Sequence, residues 1–301
     1  MFTPFIFWPW FAGLLFLAAG LIAIRKEWFA AGGLDKIVVL GRVFYAVPLA
    51  MFGAEHLAGP RILAQLVPAW IPARLFWAYF VGFALLAAAI SLILSKYEQL
   101  SLTLLGIMFF LFVILVHLPR VAANPNDRIS WAVVLRDLAF AGGAWALAGS
   151  QLRKDRPRES KWMIVIGRLT IAIALLFFAS EHFLHPASAP GVPLEKVTPA
   201  WIPFAPLWGY LTGAVLLVAG VAILLDKRTR IAAAWVGLMM LLLTLIIYTP
   251  IFARAAKPSE MIEGVNYVAD TLFFGGTVLL LALSCRKVSA IPEINPGPPV
   301  H

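Results

Sequence analysis

The chain has 301 residues and a formal net charge of +9. Hydrophobic residues make up 62% of it, charged residues 13%, and the mean hydropathy is +0.90. A soluble domain is nearer half apolar and a quarter charged, so a soluble globule, a disordered chain and a coiled coil are excluded. Apolar runs of about 20 residues indicate an all-α integral membrane protein. The single cysteine, Cys285, excludes an intrachain disulfide, a dithiol motif, iron–sulfur clusters and cysteine-rich zinc sites, and no metal is expected.

Nine apolar runs lie near residues 5–24, 37–57, 75–95, 98–118, 130–150, 162–183, 206–225, 231–250 and 265–285. They predict nine transmembrane helices. The first run lacks a basic leader and is followed directly by Arg25 and Lys26, so it reads as a span and not as a cleavable signal. The loops vote on orientation. The 25–36 loop, Lys96, the 151–161 and 226–230 loops and the tail carry 14 Lys and Arg residues, and the alternate loops carry 7. Positive residues collect on the cytoplasmic side, which predicts a multi-pass protein of the cell (inner) membrane, N-terminus outside and C-terminus inside. The same rule accounts for the net charge, so no nucleic-acid partner is expected; the lipid bilayer is the expected surrounding.

An internal duplication organises the chain. Residues 40–57 align with 166–183 at 7 identical positions of 18, including Gly41-Arg42 with Gly167-Arg168 and Glu55-His56 with Glu181-His182. Residues 68–82 align with 199–213 at 8 of 15, including the whole PAWIP stretch. Residues 136–143 align with 269–276 and keep Asp137 with Asp270 and a Gly-Gly pair. The predicted organisation is a helix and loop over 1–36, a first repeat over 37–150, a basic linker over 151–161, a second repeat over 162–285 and a tail over 286–301. Each repeat holds four spans, which predicts two pseudo-symmetric four-helix bundles in the same orientation plus an N-terminal helix.

The repeated pattern resembles the DoxX-like family of small four-helix membrane proteins. The likeness rests on the Gly-Arg opening of the first helix, a His near its end (His56, His182), the Pro-rich segments Pro68–Pro72 and Pro199–Pro203, and Tyr-x-x-Gly (Tyr79–Gly82, Tyr210–Gly213). It covers both repeats. Where many relatives carry a Glu three residues after that glycine, this chain has Leu85 and Leu216. The resemblance implies a tandem DoxX-like protein, and through the family's name a link to quinone-associated oxidation.

Ionisable residues at membrane depth mark functional sites by default. The preferred site is a cluster of Glu55, His56 and Asp137, mirrored by Glu181, His182 and Asp270, near the extracytoplasmic ends of the helices. Adjacent helical residues point about 100° apart, so one metal ion cannot easily take Glu55 and His56 together, whereas a proton relay needs no such convergence. Arg136, His56 and Arg120 are the partner candidates for Asp137; Ala269 replaces Arg136 in the second copy, which favours a shared His. Trp77, Tyr79, Trp208 and Tyr210 could line a cavity for a flat ligand such as a quinone, or pack against neighbours. His117, whose counterpart is Tyr248, argues for an active first half. Arg42 lies about 21 Å along the helix from His56, outside any compact site, and with Arg168 should snorkel or cap a neighbouring helix. Bis-His haem ligation by His56 and His182 would need the repeats to meet at these ends, and nothing in the sequence demands it. The expected function is a membrane subunit of a quinone-linked oxidoreductase system, with a small-molecule transporter or binding protein, or a non-catalytic scaffold or assembly factor, as alternatives. The sequence shows no nucleotide loop and no Ser-His-Asp order, so a redox partner protein would supply electrons.

Overall fold

Apolar side chains over about 20 residues leave the backbone no partner in lipid except itself, and the chain answers with helices. The computed structural model describes residues 4–285, among which no strand forms beyond one isolated bridge, Ser188 to Val197. The 286–301 tail, with Arg286 and Lys287, lies outside the described residues. Nine helices among them are long and apolar enough to cross a membrane: α1 (Pro4–Ala30), α2 (Asp35–Ala58), α3 (Arg74–Leu94), α4 (Glu98–Ala123), α5 (Arg128–Gln151), α6 (Pro157–Leu184), α7 (Ala205–Leu224), α8 (Thr229–Ala253) and α9 (Pro258–Ser284). Each matches one of the apolar runs.

The packing refines the expectation of two bundles. Within each repeat, consecutive helices lie side by side. The first helix of each repeat, however, packs on the last helix of the other: α2 on α9, and α6 on α5. Helices α5 and α9 also touch, so the repeats share one interior, and α9 is buried along its whole apolar stretch.

Glycines make these seams close. A Cβ on Gly276 of α9 would lie 2.5 Å from the Phe44 and Tyr45 backbone of α2, and one on Gly41 would lie 2.8 Å from Leu279. The second seam repeats the device. A Cβ on Gly142 of α5 would meet the Thr170 hydroxyl of α6, and one on Gly167 would meet the Gly142 carbonyl. Small residues at helix interfaces let backbones approach and gain dispersion contacts that lipid tails cannot match.

Helix α1 lies outside the repeat and packs mainly on α2, with Gly13 over Met51 and Gly20 over Val43 and Ile93. It explains why 83% of the α2 apolar window is buried but only 39% of that of α6. After each PAWIP stretch one non-glycine residue takes the left-handed conformation (Ala73 at φ 54°, Phe204 at φ 56°) and turns the chain into α3 or α7. Such a backbone is unfavourable for residues with a Cβ, and its recurrence marks a turn imposed by the surrounding fold.

Candidate functional site

Asp137 and Asp270 occupy aligned positions on α5 and α9, both are buried, and the contact between those helices brings them to one place. Arg136 serves both. Its Nε lies 3.3 Å from Asp137 Oδ1, and its Nη1 lies 2.6 Å from Asp270 Oδ2. His117 Nε2 lies 3.0 Å from Asp137 Oδ2. The result is a chain of four ionisable groups, His117–Asp137–Arg136–Asp270, that crosses from the first repeat to the second.

The placement of His117 has a local cause. It ends a π-helical turn, Val113–His117, inside α4, and α8 has the same feature at Thr244–Tyr248. A π-turn adds a residue to the helical circuit and re-aims the side chains beyond it, and such turns are frequent at functional sites. Each is succeeded by a proline in the first turn of the resumed helix (Pro119, Pro250), where the absent N–H costs little. Tyr248 at the mirrored position reaches elsewhere and donates to the Pro190 carbonyl at 2.9 Å.

The Glu-His pairs split by direction, as adjacent helical residues must. The glutamates face the seam with the opposite repeat. Glu55 faces Asn266 of α9, on the side of Asp270. Glu181 accepts from Arg128 Nη1 of α5 at 3.0 Å, with His185 Nε2 at 4.0 Å. The histidines turn toward the second helix of their own repeat. The backbone of α3 comes down on His56 at Gly82, and that of α7 on His182 at Gly213. The glycine of Tyr-x-x-Gly therefore makes room for the histidine. Each His donates from Nδ1 to the carbonyl four residues before it, Phe52 at 2.8 Å and Phe178 at 2.6 Å. A carbonyl can only accept, so Nδ1 carries the proton in both. His182 Nε2 accepts the Gly191 amide at 2.9 Å, which leaves neither of its ring nitrogens open to a ligand.

The expected Glu55–His56–Asp137 cluster and its mirror are thus corrected. The aspartates meet through Arg136, Asp137 takes His117 and not His56, and each glutamate faces the other repeat. The histidines of the two pairs stand apart because they sit on the opposite flank of α2 and α6.

The connection from α6 to α7 shapes the space above the chain of ionisable groups. From the Glu-His pair to PAWIP the second repeat has five more residues than the first, 17 positions (182 to 199) against 12 (56 to 68). The added length dips inward and buries Ala189, Val192 and Leu194 in the shared core. It is pinned from both repeats. Arg128 holds the Leu194 carbonyl (3.2 Å), Tyr248 holds the Pro190 carbonyl, and His182 holds the Gly191 amide. Tyr267 bonds Glu195 (3.1 Å), and Lys196 pairs with Glu263 (2.8 Å). Gly191, at φ 124°, makes the turn at its deepest point, a conformation that L side chains rarely adopt. Below it, between α5, α9 and residues 192–195, lies a cavity of about 230 Å³ with Arg136, Asn266, Tyr267 and Asp270 in its walls and the exposed Glu195 and Glu263 beside them.

The aromatic residues considered for a flat ligand are elsewhere. Trp77, Tyr79, Trp208 and Tyr210 are 40–46% exposed on the outer faces of α3 and α7, and none lines the cavity. Trp77 donates to the Pro72 carbonyl and Trp208 to the Pro203 carbonyl, both at 3.1 Å, so these indoles lock the Pro-rich turn onto the following helix. Arg42 and Arg168 lie at the opposite end of the bundle. Arg168 caps α7 through the Ile223 and Leu224 carbonyls, and Arg42 pairs with Glu98 at 2.6 Å.

Sequence reasoning missed Arg128, Glu195, Glu263, Asn266 and Tyr267. They lie outside the duplicated blocks, and the signal that could have found them is the longer spacing before the second PAWIP. Among the described residues no group of three or more His, Cys, Asp or Glu is placed to hold a metal ion. Compared with protein-family models, curated proteins and solved structures, the chain matches none.

Proposed function

We propose that this protein is a proton-handling membrane subunit working beside a quinone-linked oxidoreductase, with His117–Asp137–Arg136–Asp270 as its relay. One observation carries the reading: two carboxylates, a histidine and a shared arginine form a continuous chain inside an apolar bundle and end at a polar cavity. Buried charge must be paired or neutralised. Arg136 is one cation between two carboxylates, and Glu55 adds a third acid beside Asn266. The balance is made up by protons, and His117 supplies an imidazole, the side chain best suited to exchanging them. The positive-charge count of the loops supports an extracytoplasmic position for this end of the bundle.

The redox link rests on the DoxX-like resemblance alone. In this reading the electrons stay with a partner protein, and this chain moves the protons that quinone oxidation or reduction releases or consumes.

The test is proton uptake into proteoliposomes driven by a potassium diffusion potential, together with extraction of the protein purified from native membranes for bound quinone. Uptake that falls at least tenfold in Asp137→Asn and Asp270→Asn, and persists in Arg42→Lys, is the expected result. A protein that moves no protons overturns the relay and leaves transport of another solute, or a scaffold role, as the better reading. Proton uptake without quinone or an oxidoreductase partner in the native extract removes the redox link and spares the relay.

A further inference from the structure

The cavity offers more than a proton path. Its floor is Asp270, which is 8% exposed. One oxygen, Oδ2, takes Arg136, and the carboxylate has no second hydrogen bond among the described residues. Arg136 gives Nε to Asp137 and Nη1 to Asp270. The charged and titratable groups that line this space are Arg136 on α5, Asp270, Glu263 and Tyr267 on α9, and Glu195 on the inserted connection; Asp137 pairs with Arg136 and Lys196 with Glu263. Among the lining residues carboxylates exceed fixed cations by three to one, and the exposed Glu195 and Glu263 raise the local concentration of cations.

The lining selects the kind of cation. One wall is apolar, with Ile129, Ala132, Val133 and Val192. The same lining includes three residues with acceptor oxygens: Asp270, whose carboxylate takes only Arg136, Asn266, and Tyr267, whose hydroxyl proton is already given to Glu195. Acceptors and apolar side chains in one lining match the N–H donors and the alkyl stem of a primary ammonium. At about 30 Å³ per water the volume holds about seven waters, room for a cation of a few heavy atoms.

We infer that this cavity binds a small primary alkylammonium ion, its nitrogen on Asp270, Asn266 and Tyr267 and its stem against Ala132 and Val133. The inference deepens the relay reading and rests on it, since it gives Asp270 a second cation to exchange with the proton.

The experiment is calorimetric titration of the full chain in lipid nanodiscs with n-propylammonium chloride, against sodium chloride at equal ionic strength and against propionate. Expected are saturable binding of one propylammonium per chain, no propionate binding, at least tenfold weaker binding in Ala132→Phe, and a severalfold loss in Glu195→Gln. Val133→Phe blocks the same wall and replaces Ala132→Phe should that variant not fold. Propylammonium heat no larger than that of sodium, or unchanged affinity in a folded wall-blocking variant, overturns the inference. Proton uptake by the wild type is read in the same preparation: uptake without ammonium binding removes only the ammonium, and binding without uptake removes only the relay.

Discussion

The two repeats have the same skeleton and different chemistry. Both use a Gly-Gly pair at the seam, a π-turn in the third helix, an inward Asp and a histidine bonded to its own helix. Only the first has His117 and Arg136; the second has Tyr248 and Ala269 at those places, and a longer connection that plugs the interior. Duplication supplied a scaffold with two equivalent aspartates. Divergence then built one site from them, because a single arginine placed at the contact between α5 and α9 reaches both. One bridging cation costs less desolvation than two, and it ties the halves together.

The largest effect is expected at the centre of this asymmetry. Arg136→Ala leaves two buried carboxylates without their cation, and a loss of about 3 kcal/mol is expected from removing one partner of a buried pair. Reversible unfolding in mixed micelles measures it, and the triple variant with Asp137→Asn and Asp270→Asn should recover most of the loss. The seams come next. Gly276→Ala pushes a methyl into the α2 backbone, at an expected cost of about 2 kcal/mol. Gly142→Ala at the other seam meets the Thr170 hydroxyl and the Gly167 backbone, so a comparable loss is expected, and a difference between the two would show which half of the bundle is the more rigid. Tyr248→Phe removes one hydrogen bond to the plug, at about 1 kcal/mol. Its sharper readout is faster proteolysis within residues 185–198, whereas Tyr79→Phe on the outer face of α3 should change neither. The smallest effect concerns Asp127, the N-cap of α5. Hydrogen bonds from the Ser130 hydroxyl and from the Ile129 and Ser130 amides hold its carboxyl below the usual carboxylate range. A depressed folded-state value means the cap's contribution is complete above the unfolded value and is lost as pH falls through the folded one. Thermal midpoints of the wild type should therefore drop slightly more than those of Asp127→Asn on acidification. Equal slopes would remove the cap from the account.

Much of the fold was legible because lipid makes hydrophobicity an almost sufficient instruction. Every long helix is a run of apolar residues, and Gly142-Gly143 and Gly275-Gly276 could be read as close contacts before any neighbour was known. The acidic positions were legible too, since Asp137, Asp270, Glu55 and Glu181 stand out against an apolar background. Their pairing was not. Glu55 and Asp137 belong to one repeat, and the natural expectation joins them; the exchange of first helices across the seam sends Glu55 to Asn266 and Glu181 to Arg128. The aromatic pairs Trp77 with Tyr79 and Trp208 with Tyr210 misled for a similar reason. Helical spacing says which residues share a flank, and not whether that flank meets protein or lipid.

Composition, periodicity and self-similarity are local properties that survive without coordinates. They were enough to establish a membrane protein with nine apolar spans, an internal duplication and acids at matched positions. Four further features required the packed bundle: the duplicates share one interior, Arg136 serves both aspartates, His117 and not His56 joins them, and five extra residues close a cavity above. Each of these depends on which helix faces which, and that is set by the summed packing of the whole bundle rather than by any one stretch of chain.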